Sequence, residues 1–214
     1  MNKLKPLFLV WSVILWHGMA AQFNDRGSFH ASLGVASGVH GTEYETRFSF
    51  AGIEIVSDTT DGAVTVTYPI QVSYGFARAF SLGLIIEPGS YLDSNATRSN
   101  GFLVYGIEPR FYIVNKDRFA WMASFQFGGS HLRIEEQGPV IAEATYVGTN
   151  FGIGSGVAFL FTDHFGLQLH LRYLSTRMPL TSYTQSGTSV ALTNYEAELR
   201  TKGVALQASL AYKF

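Results

Sequence analysis

The chain closes on QASLAYKF, residues 207–214. Counted back from Phe214, every second residue is apolar: Tyr212, Leu210, Ala208, Leu206 and Val204. Between them stand Lys213, Ala211, Ser209, Gln207, Ala205 and Gly203. A period of two is the signature of a strand whose faces meet different surroundings. One face here is oily and ends on an aromatic. The other is small or polar.

The same alternation recurs along the chain. It predicts strands near 28–41, 64–76, 80–92, 101–114, 118–135, 145–161, 165–177 and 199–214. In the second, Val64, Val66, Tyr68, Ile70, Val72, Tyr74 and Phe76 oppose Thr65, Thr67, Gln71 and Ser73. In the seventh, Phe165, Leu167, Leu169, Leu171 and Tyr173 oppose Gly166, Gln168, His170 and Arg172. Connection lengths alternate as well. Ala77-Arg78-Ala79, Asn115-Lys116-Asp117 and Thr162-Asp163-His164 are short, whereas 42–63, 93–100, 136–144 and 178–198 are long. Pro69, Pro88 and Pro109 fall within strands, where each lacks a ladder donor. Pro109, mid-strand, predicts a bulge or a dropped ladder bond.

Composition narrows the setting. Only 14 % of residues are charged, against roughly 25 % in a soluble domain. Cysteine is absent, which excludes disulfides and thiolate metal sites. The net charge of -1 offers no basic footprint for nucleic acid. Lys3 and Lys5, the apolar run Leu7–Trp16 and the small residues Gly18-Met19-Ala20-Ala21 read as a secretory leader. The run is too short for a membrane helix, which needs ~20 residues. We therefore expect a cleaved signal peptide over 1–21, cut after Ala20 or Ala21, and one domain over 22–214.

Which face is dry decides the class. An eight-stranded barrel has a bore just wide enough for side chains. The oily parity carries too many large side chains, many of them aromatic, to fit inside. The polar parity, mostly Gly, Ala and Ser with a few long polar residues, does fit. The oily parity must then face outward, and only lipid covers so large an apolar surface. Short turns on one side and long loops on the other match a barrel with its turns in the periplasm. Phe29, Phe76, Phe80, Phe119, Trp121, Phe161, Phe165, Tyr212 and Phe214 form one aromatic girdle; Tyr68, Tyr105, Phe127, Phe151 and Tyr173 form a second. The expected fold is an all-β, eight-stranded, antiparallel, up-and-down transmembrane β-barrel.

On these residues the chain resembles the small eight-stranded outer-membrane barrels of the OmpA, OmpX and OmpW-like group. The resemblance implies the outer membrane of a Gram-negative bacterium, with outer-membrane lipid and lipopolysaccharide as surroundings. It also implies that Leu210, Tyr212 and Phe214 are the signal read by the barrel-assembly machinery.

Counted up from the turn side, Glu87, Glu108, Arg110, Gln126, His170, Arg172 and Gln207 fall in one slab near mid-bilayer, each residue climbing ~2.5 Å. We expect an interior polar network, because buried charges must pair. It would plug the bore, or gate it. No cofactor and no metal site is expected, and no catalytic motif emerges. Lipid A deacylases are barrels of similar size with a His-x-Ser-Asn cluster. Here the comparable residues are His170-Leu171-Arg172-Tyr173, which do not match. Ser130 and His131 are adjacent and so lie on opposite faces, poor geometry for activating a nucleophile. The expected function is structural, adhesive or surface-interacting, with loops 42–63 and 178–198 as partner surfaces. The alternatives are a narrow channel for small or hydrophobic solutes and, less favoured, a lipid A-modifying enzyme.

Overall fold

The computed structural model describes residues 22–94, 96, 98–137 and 141–214, with side chains for all of these except 136, 137 and 141. The leader expected over 1–21 lies outside the described residues. Ten strands follow in order: β1 (Phe29–Phe50), β2 (Ile53–Thr67), β3 (Ile70–Ala77), β4 (Phe80–Asp93), β5 (Asn100–Asn115), β6 (Phe119–Gln137), β7 (Ile141–Leu160), β8 (Phe165–Gln185), β9 (Thr188–Ser189) and β10 (Tyr195–Lys213). Each neighbour pair is antiparallel, and β10 joins both β1 and β8, so the sheet closes. β2 and β3 are one wall strand interrupted at Tyr68-Pro69, and β9 is a two-residue tag on β8. The wall therefore has eight strands. Closure satisfies the ladder without an edge, the condition for crossing lipid with strands.

The prolines are absorbed locally. Pro69 offers its carbonyl to the Gly34 N–H (3.0 Å), and Tyr68 N–H donates to the Pro88 carbonyl (2.8 Å). At Pro109 the β4 register runs on unbroken through Leu82↔Pro109. Toward β6 the pairing lapses between Ile107↔Phe127 and Arg110↔Ser124 and resumes in the same register. The ladder drops there without a slip, so the faces of β5 hold. The bulge in β5 lies further on, between Tyr112 and Val114.

Orientation is as the alternation predicts. Leu206 and Leu210 are 61 % and 67 % exposed on the outer wall, while Gln207 and Ser209 between them are buried. Both girdles stand outside. On the turn side Phe165, Tyr212, Phe214 and Phe29 pack edge to face in series, with centroids 4.7–5.3 Å apart.

The strands run well past the membrane, and there the dry face inverts. On β10 the outward residues Val204–Phe214 are apolar, but Lys202, Arg200 and Glu198 continue that face as charges. Inward, Leu199 and Ala197 now carry the oil. β8 switches between Tyr173 and Arg177, with Met178 buried inside. β6 switches between Phe127 and Arg133, with Leu132 inside. Once water replaces lipid outside, the apolar parity turns inward, as in a soluble sheet. The segment 42–63 is a hairpin that extends β1 and β2 above the membrane. It is closed by Ala51 and Gly52, whose φ angles of 50° and 81° make the tight turn that suits a twisted ribbon. Much of 136–144 and 178–198 is strand for the same reason.

Candidate functional site

The bore is filled in three layers. At the turn side, residues 22–28 fold back under the barrel. Phe23 stacks on His30 with centroids 5.1 Å apart and joins Tyr112, Ala120, Met122, Ala158 and Leu160 in an apolar cluster. The segment is pinned by its backbone and by Asn24. Phe23 N–H donates to the Lys116 carbonyl (2.9 Å), and Asn24 Nδ2 donates to the Ala77 carbonyl (2.8 Å). Asn115 Nδ2 donates to the Asn24 carbonyl (2.6 Å). Gly75 makes the approach possible: a Cβ there would stand 2.2 Å from the Asp25 carbonyl oxygen.

The middle layer is ionic. Arg172 on β8 grips Glu87 on β4 with two hydrogen bonds, Nη1 to Oε1 (2.5 Å) and Nη2 to Oε2 (2.9 Å). Thr67 donates to Glu87 Oε2 (3.2 Å), and Gln126 bridges the pair, accepting from Arg172 and donating to Glu87. One step lower, Arg110 Nε donates to Glu108 Oε1 (2.7 Å) along β5. Its Nη atoms donate to Gln168 Oε1 (3.3 Å) and to Gln71. Glu87, Glu108, Arg110 and Arg172 are all 1–2 % exposed. Each charge is thus matched locally, which burial requires.

Two expected members stand outside these bonded sets. Gln207 shares the slab but donates to Ser209 on its own strand (2.8 Å). His170 is buried with neither ring nitrogen bonded among the described residues. It occupies space left by Gly156, where a Cβ would lie 2.4 Å from the imidazole. The two lie at one height, paired as Gln207↔His170 in the β8–β10 register. Side-chain reach, which height does not set, kept them apart from the pairs.

The third layer is apolar and was not foreseen. Tyr91, Leu132, Tyr146, Met178 and Leu199 meet at the outer end of the bore, with Tyr44 and Tyr195 against them. The hydroxyl of Tyr146 donates to that of Tyr44 (3.1 Å), which lies 3.4 Å from that of Tyr195. Between this layer and Arg172 is a cavity of about 20 Å³, bordered by His40, Thr65, Asn150 and Thr201. That is room for about one water molecule. Ser130 is buried inside the wall, and its neighbour His131 projects to the other face.

Among solved structures, the chain is similar to the outer membrane protein OprG from Pseudomonas aeruginosa. The TM-score is 0.59 at 11 % identity, over 89 % of this chain and 97 % of that one. It is also similar to the outer membrane protein AlkL in lipid bilayers, with a TM-score of 0.55 at 12 % identity, over 92 % of this chain and 95 % of that one. No protein-family model and no curated protein matches the sequence. The fold is that of the small outer-membrane β-barrels.

Proposed function

We propose that the protein is a closed, non-conducting barrel of the Gram-negative outer membrane, with a structural or surface-interaction role. The observation that carries this is the pairing of Glu87 with Arg172 and of Glu108 with Arg110 at mid-bore, all four nearly inaccessible. A hydrated path would need both pairs parted, and the Phe23 layer and the tyrosine layer seal either side. Outside, just above the apolar wall, contacts run Arg177–Glu198–Arg200–Glu45 at the height of lipid headgroups, and Arg47 carries them upward to Glu54 on the β1–β2 ribbon, clear of lipid. Outer-membrane lipid and lipopolysaccharide are the partners that height implies. Leu210, Tyr212 and Phe214 stand at the turn-side rim, where the assembly machinery would read them.

A second reading is a route for small hydrophobic solutes. It is favoured by the apolar lining from Tyr195 down to Tyr91. Planar-bilayer recording and a solute-uptake assay on the refolded protein decide between the two. A flat current trace and no uptake above empty vesicles supports the closed barrel. Steady uptake of an apolar solute overturns it.

A further inference from the structure

Above the membrane the β1–β2 ribbon leaves one side uncovered. β10 covers the far side of β1 as far as Phe48↔Tyr195, and Ser49 N–H donates to the Asn194 carbonyl (2.9 Å). β4 covers β2 only over Ala63–Thr67, and Ser94 N–H reaches the Gly62 carbonyl (2.8 Å). Among the described residues no strand pairs with Ile53–Asp61 on the side away from β1. The two-residue turn makes Phe50↔Ile53 a hydrogen-bonded pair, and such pairs alternate along the ladder. Ile53, Ile55, Ser57 and Thr59 therefore bond inward to β1. Glu54, Val56, Asp58 and Thr60 aim their backbone N–H and C=O groups at the open edge.

Bare edges are normally blunted by lysine, proline or a bulge. Ile53–Asp61 has none of these, and it is rich in the β-formers Ile and Thr. Its faces differ. Phe48, Phe50, Ile53 and Ile55 share one face and are 44–66 % exposed. The other face carries Glu54, Val56 and Asp58; Arg47 there is bonded to Glu45 and stands 3.8 Å from Glu54. Ile53–Asp61 holds three carboxylates and no basic residue, so pairing with a second copy brings like charges together.

We propose that the Ile53–Asp61 edge of β2 is a docking site for an extended segment of a partner protein, one that alternates apolar with basic residues. The segment adds a strand to the ribbon. Its main chain bonds to Glu54, Val56, Asp58 and Thr60. Its apolar side chains extend the row of Ile53 and Ile55, and its basic ones meet Glu54 and Asp58. This rests on the ribbon standing clear of lipid; conduction through the bore would overturn the closed-barrel reading and leave this site intact.

The test uses the full mature chain in zwitterionic phosphatidylcholine nanodiscs. The probe is the labelled peptide KVKVKVKVK, with KKKVVVVKK as the control of equal composition. The alternating peptide binds about tenfold tighter than the block peptide, and the double variant Glu54→Lys, Asp58→Lys loses about tenfold, the sum expected of two exposed charge pairs plus register. Val56→Pro removes one edge donor, leaves the β1 ladder whole, and weakens binding comparably. In the native chain, peptide slows amide exchange at Glu54, Val56, Asp58 and Thr60. Equal binding of the two peptides, or slowed exchange elsewhere with none at those four amides, overturns the site. Circular dichroism of each variant separates lost docking from lost fold.

Discussion

Arg172 and Glu87 face each other across the bore from β8 and β4, joined by two hydrogen bonds of 2.5 and 2.9 Å. They are 85 residues apart in sequence. Removing one partner leaves an unpaired charge buried in the bore. We expect Arg172→Ala and Glu87→Ala each to lower stability by about 3–5 kcal/mol. The double change to Leu should recover most of that, because an apolar pair needs no compensation. Urea unfolding of the refolded protein in micelles measures both. If the barrel were gated rather than plugged, the single variants would conduct at unchanged stability.

The Phe23 segment is held by hydrogen bonds that a single change can remove. Asn24→Ala takes the side-chain donor from the Ala77 carbonyl, while Arg78 keeps its bond from Asn115, and should cost about 1–3 kcal/mol. Gly75→Val forces the segment out, since its Cβ would overlap the Asp25 carbonyl. Amide exchange at Phe23 should then rise to the rate of an open chain while β6 and β7 stay protected. Unchanged protection of Phe23 in Gly75→Val would contradict this docking.

The rim ion pairs give a pH dependence outside the membrane. The hydrogen bond from Arg177, aided by Arg200, holds the Glu198 carboxyl below its ordinary value of 4.5. A depressed carboxylate stabilises the folded rim above its unfolded pKa, and that contribution fades as pH falls through the folded value. Carbon-13 titration should find Glu198 below 4.5, and Arg177→Ala should raise it toward 4.5. Salt should weaken the shift, because its partner Arg177 stands in solvent. A titration unmoved by Arg177→Ala would show that the contact is not kept in solution.

Much of this was legible in the sequence, for a physical reason. Lipid outside and a narrow bore inside impose period two on every wall strand, so Leu206, Leu210 and Gln207 could be assigned by parity alone. The paired charges were foreseeable because long polar residues such as Arg110 and Arg172 interrupt a face of Gly, Ala and Ser. The inverted rim was also written there: Leu132, Met178 and Leu199 sit on the polar parity, and Arg133, Arg177 and Lys202 on the oily one. That change of phase marks the water boundary. The Phe23 plug left no such trace, because residues 22–28 have no period. Its docking depends on reach between elements 53 and 91 residues away, at Ala77 and Asn115. Partner choice in the bore was likewise hidden, since the slab gave heights for His170 and Gln207 but no directions.

The orientation of the two faces underlies all the rest, and spin labels along β10 test it most directly. Single cysteines at 204–210 carry the label, and the protein is reconstituted in bilayers. Oxygen accessibility should peak at Val204, Leu206, Ala208 and Leu210. Labels at Gln207 and Ser209 should be immobilised and shielded from oxygen. The opposite phase, with Gln207 and Ser209 reporting lipid, would contradict a lipid-facing apolar wall and the paired interior built upon it.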